Sequence, residues 1–267
     1  MIEVIKNSIN LYEGDCLEKL KLIKDGSIDM ILTDPPYGTT ACKWDTVVDL
    51  DALWVEIKRI TKPNAAIVMT ASQPFTTTLI ASNIKNFKHE WVWQKNRGSN
   101  FATVKYQPFK EHESVLVFSR ASEKVNYYPI KQERSAGGAS RANYDVNASN
   151  TGKRDVYGNI KATNQGKIPK LRYPSSVQKF NTEVGLHPTQ KPVALLEYLI
   201  KTYTNENETV LDFTIGSGST CIAAMNTKRN CIGIELDNNY FNVSTKRIED
   251  HNETLDNKYT ITKHEKE

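Results

Sequence analysis

One carboxylate raised on a proline turn is the feature of this sequence best suited to chemistry. Thr33-Asp34-Pro35-Pro36-Tyr37-Gly38 follows Ile28-Asp29-Met30-Ile31-Leu32, a short and mostly apolar run. Such a run reads as a strand buried on both faces of a parallel sheet. Pro35 and Pro36 stop it, because each fixes φ at about −65° and has no N–H for a ladder. Asp34 and Pro35, each preceding a proline, are pushed towards extended geometry. The predicted result is a stiff turn at the carboxyl end of a strand, where open α/β sheets bind ligands. Asp34 and the Pro35 carbonyl can accept the two N–H groups of an exocyclic amine on a flat heterocycle, Pro36 stiffens the turn, and Tyr37 can stack on the ring. The competing reading is a proline-rich turn with an incidental Asp.

A second constellation lies far along the chain. Thr209-Val210-Leu211-Asp212-Phe213 leads into Thr214-Ile215-Gly216-Ser217-Gly218-Ser219-Thr220. Strand, Gly-x-Gly loop, helix and a further strand ending in an acid form a nucleoside-binding arrangement. Gly216 and Gly218 allow positive φ and close backbone approach to a ligand. The helix that follows offers N–H groups to an anion. Glu235, ending the strand Cys231-Ile232-Gly233-Ile234-Glu235, is placed to accept ribose hydroxyls. A nicotinamide enzyme would carry a third Gly where Cys221 stands. Ser217, Ser219 and Thr220 instead supply hydroxyls suited to an amino acid carboxylate. An ordinary Gly-rich turn is the bland alternative.

The elements that must position these groups alternate through the first 120 residues. Asn10 to Glu13 reads as a strand ending in the turn Gly14-Asp15-Cys16, with a short helix through Leu17, Leu20 and Leu22. A helix spans Val48 to Ile60, where Leu50, Leu53, Trp54, Ile57 and Ile60 fall at helical spacing. Pro63-Asn64 breaks it, and strands are predicted at 65–69, 90–93 and 114–118 with a helix around Phe75 to Ile80. Later come a helix with Val193, Leu196, Leu199, Ile200 and Tyr203 as its buried stripe, a helix from Cys221 to Thr227, and one from Asn239 to Ile248. Strand and helix in alternation predict a parallel or mixed sheet with helices on its faces.

Hydrophobic content of 39% and charged content of 25% fit a globular chain of 267 residues. No run of about 18 apolar residues suggests a membrane span, and the start lacks a signal peptide's n-region and h-region, so cytoplasm is the expected compartment. Cys16, Cys42, Cys221 and Cys231 form no C-x-x-C pair and read as reduced thiols, with no metal site. Residues 121–186 hold 11 Lys and Arg against 5 Asp and Glu, so the rest of the chain carries −2 within the total of +4. Tyr127, Tyr128, Tyr144, Tyr157, Tyr173 and Phe180 are spaced among those charges. Cations for phosphates interleaved with flat rings fit nucleic acid, with Lys153, Arg154, Lys167, Lys170 and Arg172 as phosphate contacts. A long solvated insertion is the bland alternative.

Taken together, these motifs resemble those of the S-adenosylmethionine-dependent DNA methyltransferases that act on exocyclic amines of bases. Asp34-Pro35-Pro36-Tyr37 looks like their catalytic motif, and its Asp form implies adenine N6 more than cytosine N4. Asp212 to Thr220 is similar to their cofactor motif, typically Asp-Pro-Phe-x-Gly-Ser-Gly-Thr-Thr. Phe213, Thr214 and Ser219 depart from that form. His187-Pro188-Thr189-Gln190-Lys191-Pro192 is similar to the family's preceding segment, where Thr189 and Lys191 would reach the cofactor carboxylate. Gly14-Asp15-Cys16 resembles the early acidic turn, where Asp15 would meet the cofactor's adenine amine with Cys16 beside it. Asp34 would touch cofactor as well as base.

Catalytic motif, basic insertion, then cofactor motif is the permuted order of the family's β group. The resemblance implies a Rossmann-like α/β fold with a mixed, mostly parallel, seven-stranded sheet and helices on both faces. Residues 1–120 would be the catalytic half, 121–186 the target-recognition insertion, 187–250 the cofactor half and 251–267 a loose polar tail. The implied reaction is site-specific methylation of adenine N6 in double-stranded DNA after base flipping. The alternatives are cytosine N4 and, from another class, a catalytically silent DNA-binding protein. A homodimer and a cognate restriction endonuclease are further partners the resemblance allows.

Overall fold

The computed structural model describes residues 7–39, 45–134, 170–183, 185 and 190–265. The chain divides into two compact units, one made of the residues up to Tyr128 and from Ser176 onward, the other of Pro129–Ser175.

The larger unit begins with β1 (Ser8–Glu13), α1 (Cys16–Leu20), β2 (Ile28–Thr33), α2 (Leu50–Ile60), β3 (Thr61–Ala71), α3 (Phe75–Ser82), β4 (Phe87–Gln94) and β5 (His112–Ser119). The smaller unit contributes β6 (Gln132–Glu133) and β7 (Leu171–Arg172), which pair antiparallel. The larger unit resumes with β8 (Val177–Lys179), α4 (Val193–Tyr203), β9 (Thr209–Asp212), α5 (Ser219–Asn226), β10 (Asn230–Glu235), α6 (Asn238–Glu253) and β11 (Thr260–His264).

Its sheet runs β11-β1-β10-β9-β2-β3-β5-β4-β8. All neighbours are parallel except β3–β5 and β5–β4. The sheet therefore has nine strands. The seven expected ones form its middle, and the short β8 and β11 extend its two edges.

Strands β1, β2, β9 and β10 are buried along their whole length, so helices must cover both faces. Successive side chains serve opposite cores, as the pleat requires. Leu11, Met30 and Leu32 join Leu196, Tyr203, Ile222 and Ile248 from α4, α5 and α6. Tyr12 and Ile31 join Leu20, Ile57 and Leu79 from α1, α2 and α3. Asp29 is the charged exception within β2. Its carboxylate accepts from Lys62 Nζ at 2.8 and 2.9 Å and from the Thr209 N–H at 2.9 Å, tying β2 to both flanking strands.

Local differences from the sequence reading have local causes. Helix α2 starts at Leu50 because Asp49 caps it, accepting from the N–H groups of Asp51 and Ala52. Pro63-Asn64 does not end a helix but sits inside β3 as an irregularity, with Asn64 at φ 63° and the register against β2 shifted there. Tyr127 and Phe180 belong to the larger unit, where Tyr127 packs near Trp91 and Tyr203 and Phe180 near Tyr198. Both rings pack against other rings of the larger unit, with Tyr127 remaining exposed. Cys16, Cys221 and Cys231 are buried free thiols, and Cys42 lies outside the described residues. No helix among the described residues is long and apolar enough to cross a membrane.

The expected loose tail is corrected most clearly. Helix α6 continues to Glu253, and β11 then pairs with β1 from Ser8↔Thr260 to Tyr12↔His264. The pairing satisfies one edge of β1, and the Tyr12 and His264 rings stack at 4.2 Å. Tyr259 is buried. Its N–H donates to Asn252 Oδ1 at 2.8 Å, and its carbonyl accepts from Asn252 Nδ2 at 3.1 Å. Removing a buried aromatic ring costs about 3 kcal/mol or more. Tyr259→Ala should therefore lower unfolding stability by about 3 kcal/mol in urea titrations, whereas an unchanged midpoint would mean that the tail does not pack.

Candidate active site

Strand β2 hands the chain on to β3 on one side, and β9 hands it on to β10 on the other. Adjacent parallel strands that part in this way open a crevice at their carboxyl ends. Met30↔Val210 and Ile31↔Leu211 set the register, so the turn after Thr33 and the loop after Asp212 emerge side by side. Thr214 joins them. Its hydroxyl lies 2.7 Å from Thr33 Oγ1 and donates to the Asp34 carbonyl at 3.1 Å. Both motifs line one cleft of about 1080 Å³ within the larger unit.

Asp34 is held from several sides. Its Oδ1 accepts from Tyr37 Oη at 2.6 Å and from Thr70 Oγ1, and its Oδ2 accepts from Lys191 Nζ. A carboxylate offers about four lone-pair sites, so these three bonds leave one on Oδ2. The turn itself is clamped by Asp45, whose carboxylate accepts from the N–H groups of Tyr37, Gly38 and Thr39 at 2.7 to 2.9 Å. Pro35 is buried and Pro36 half-buried, and both line the cleft. Phe75 stacks on the Tyr37 ring at 5.3 Å. Burial, then Asp34 and Glu113, push the Tyr37 hydroxyl well above its ordinary value, so it stays a donor.

Lys191 is buried and stands between Asp34 and Glu113, whose Oε2 is 3.5 Å from Nζ. Burial alone would push its ammonium down, but Asp34 and Glu113 outweigh this and hold it above the usual range. Burial pushes Glu113 up, and Lys191 with Lys95 more than offsets it, leaving Glu113 below the usual carboxylate range. Lys191 was expected at a cofactor carboxylate. The structure places its ammonium on the catalytic candidate Asp34, and Thr189 lies outside the described residues.

The other end of the cleft is built by the glycine loop. Glu235 accepts from the N–H groups of Gly216 at 2.9 Å and Asp237 at 3.0 Å. Burial pushes it up to about 7, against those two bonds. Asp212 accepts from Thr220 Oγ1 at 2.6 Å and from the Thr214 N–H, and burial pushes it up to about 6. Asp15 caps α1 and lines the cleft with Cys16, whose thiol burial and Asp15 push up to about 12.

The loop hydroxyls are partly engaged within the protein. Thr220 donates to Asp212, and Arg247 Nη1 donates to the Ser217 carbonyl, Ser217 Oγ and Ser219 Oγ. Gly216 and Gly218 have φ of 52° and 82°. A Cβ at Gly218 would lie 3.0 Å from Ile248 and 3.3 Å from Ser244, so this glycine faces α6 rather than ligand space.

Sequence reasoning missed Thr70, Glu113, Asp45 and Arg247, each brought to the site from a distant or irregular segment. Of the basic candidates, Lys170 and Arg172 are exposed in the smaller unit, while Lys153, Arg154 and Lys167 lie outside the described residues. No cluster of His, Cys, Asp or Glu among the described residues could hold a metal ion.

A family model described as DNA methylase matches residues 28–246. A type II methyltransferase, M2.DpnII of Streptococcus pneumoniae, is 27% identical over 93% of this chain and 92% of its own length. The DNA adenine methyltransferase YhdJ of Escherichia coli (strain K12) is 28% identical over 90% of this chain and 82% of its own. Among solved structures, the M1.HpyAVI–SAM complex superimposes with a TM-score of 0.61 at 26% identity, covering 90% of this chain and 99% of that one.

The Gly218 geometry yields a test independent of activity. Gly218→Ala must hold a side chain at positive φ and press on Ile248, a strain of about 1–3 kcal/mol. Thermal melting should show that loss, and an unchanged melting temperature would remove the packing role assigned to Gly218.

Proposed function

The chain belongs to the DNA methylase family, and we propose that it methylates the N6 amine of adenine in double-stranded DNA with S-adenosylmethionine as donor. The observation that carries this reading is Asp34, fixed on a rigid turn, with one acceptor position open, in the same cleft as the glycine loop and Glu235.

The residues present fit the cofactor. Glu235 is a carboxylate fixed by two backbone N–H groups, with lone pairs remaining for ribose hydroxyls. Asp15 and Cys16 line the cleft near this end for an adenine, and Gly216, Ser217, Ser219 and Thr220 line it for the amino acid portion. Bound S-adenosylmethionine supplies an electrophilic methyl group on a sulfonium.

The chain's own groups make the base a better nucleophile. An aromatic amine lone pair is conjugated into its ring. Accepting its N–H bonds at Asp34 Oδ2 and the Pro35 carbonyl favours a pyramidal nitrogen and stabilises the positive charge that develops there. Because Tyr37, Thr70 and Lys191 already fix the carboxylate, this stabilisation needs little reorganisation during the reaction. A stacked base cannot reach the cleft, so it must be flipped, at a few kcal/mol. Stacking on Tyr37, worth roughly 1–3 kcal/mol, offsets much of that. The adenine named for YhdJ supports N6 over N4. Lys170 and Arg172, exposed in the smaller unit, support phosphate contact by the insertion. A cognate endonuclease acting at the same site is part of this proposal. Sequencing modified positions in DNA from expressing cells names that site, and unmodified DNA would overturn the reading.

Asp34→Ala should cut single-turnover methylation by on the order of 10²–10³ while cofactor binding persists. Asp34→Asn, which also removes the charge facing Lys191 but keeps the side chain's shape and one oxygen acceptor, should be measured beside it. Tyr37→Phe removes the bond to Asp34 Oδ1 and should slow the chemical step about tenfold. Near-parental rates in both Asp34 variants, with the protein folded, would show that Asp34 is not the acceptor.

Cofactor affinity should depend on pH through Glu235. Its pKa is raised to about 7, so the anion that accepts ribose hydroxyls predominates only above that pH. Binding should strengthen as pH rises and weaken as pH falls through about 7, by about tenfold between pH 6 and pH 8. Calorimetry of Glu235→Gln should show weaker binding without this dependence; an identical pH profile in the variant would dissociate Glu235 from the cofactor.

A further inference from the structure

The segment joining β4 to β5, residues 95–111, contains four cations, Lys95, Arg97, Lys105 and Lys110, against a single acid, Glu111, at its end. It also turns aromatic side chains to solvent, Phe101 at 68% exposure and Tyr106 at 88%. Neither property serves methyl transfer at Asp34.

The segment is built rather than slack. Asn100 Oδ1 accepts the Lys110 N–H at 2.7 Å, and its Nδ2 donates to the Pro108 carbonyl at 3.1 Å, closing the loop on itself. Phe109 lies over Gly98, where a Cβ would come within 2.6 Å of the ring. It meets Phe101 edge-on at 4.9 Å, which sets the position of that exposed ring. At its inner end Lys95 pairs with Glu113 and Lys110 with Ser72. Arg97, Ser99 and Phe101 line the same cleft as Asp34 and Tyr37, while Arg97 and Lys105 are exposed.

We propose that residues 95–111 form a second DNA-contacting element, separate from the basic insertion. Arg97 and Lys105 take phosphates beside the target nucleotide, and Phe101 and Tyr106 stack on bases that lose a neighbour when the target is flipped. The inference rests on the DNA methylation reading. Charge decides the partner, since a segment with four cations and one acid at the mouth of a base-binding cleft attracts a phosphate backbone. Flat rings held beside it suit any base face, and apolar side chains fill gaps in a disturbed stack.

The test uses the full-length protein and a short fluorescein-labelled duplex containing a site that the parental enzyme methylates. Duplex affinity is measured by anisotropy across salt, with cofactor present. The double variant Arg97→Gln, Lys105→Gln should weaken binding about tenfold and reduce the log–log salt slope by roughly 0.9 for each phosphate no longer neutralised. The double variant Phe101→Ala, Tyr106→Ala should weaken binding about tenfold at an unchanged slope. It should also reduce fluorescence from 2-aminopurine at the target position. Both should keep parental melting and cofactor affinity, because the altered side chains are exposed. Parental affinity and slope in both variants, with methylation intact in the parent, would overturn this inference alone. A parent that methylates no duplex would overturn the reading beneath it as well.

Discussion

The buried ammonium of Lys191 is the interaction on which the site depends. It joins residues 157 positions apart, and it can stay charged in the interior only because Asp34 and Glu113 face it. Glu113 in turn is kept anionic by Lys191 and Lys95. The result is an alternating row, Asp34, Lys191, Glu113, Lys95, in which removal of any member takes a counter-charge from its neighbour. The row reaches Asp34 through Oδ2 while Tyr37 and Thr70 hold Oδ1, so the carboxylate is fixed in direction as well as in charge. A side chain on a proline turn would otherwise have only the stiffness of its backbone to orient it.

Strand direction supplies the second constraint. Parallel pairing of β2 with β9 brings both loops out at one end of the sheet, and Thr214 converts that adjacency into hydrogen bonds. A one-residue slip between these strands would turn every side chain to the other face. Met30, Leu32 and Val210 on one core and Ile31 and Leu211 on the other hold the register against that slip. The apolar content of these strands and the aim of the carboxylate are thus consequences of one pattern.

Where the candidate site is carried by contiguous residues, it was legible in the sequence. The proline turn, the glycine loop and the acid ending β10 announce themselves by type and spacing, and the buried strands by their apolar runs. Contacts closed by the fold were not. Thr70 is one residue of a buried strand, Glu113 begins another, and nothing in either neighbourhood marks it as a partner of Asp34 or Lys191. Asp45 reads as a loop acid until three backbone N–H groups converge on it. Gly218 read as a point of close approach to a ligand, and the position of Ile248 makes it instead a point of close approach to α6. The strand β11 was missed because an edge strand of alternating Thr, Ile, Thr, Lys and His has little apolar pattern to show.

That missed strand bears on the site. Tyr259 and Asn252 exchange two hydrogen bonds, anchoring the end of α6 to the approach of β11. One to two turns earlier on the same helix, Ser244, Arg247 and Ile248 form the wall behind the glycine loop. Arg247 fixes Ser217 and Ser219 by three bonds, and Ile248 crowds the place a side chain at Gly218 would take. A loop with two positive-φ glycines has much backbone freedom to lose on ordering. Here it is restrained from the rear by a helix whose own position is set by the last strand of the sheet. Residues that read as a polar tail therefore act on the glycine-loop end of the cleft through α6, while the ion-pair row acts on the Asp34 end.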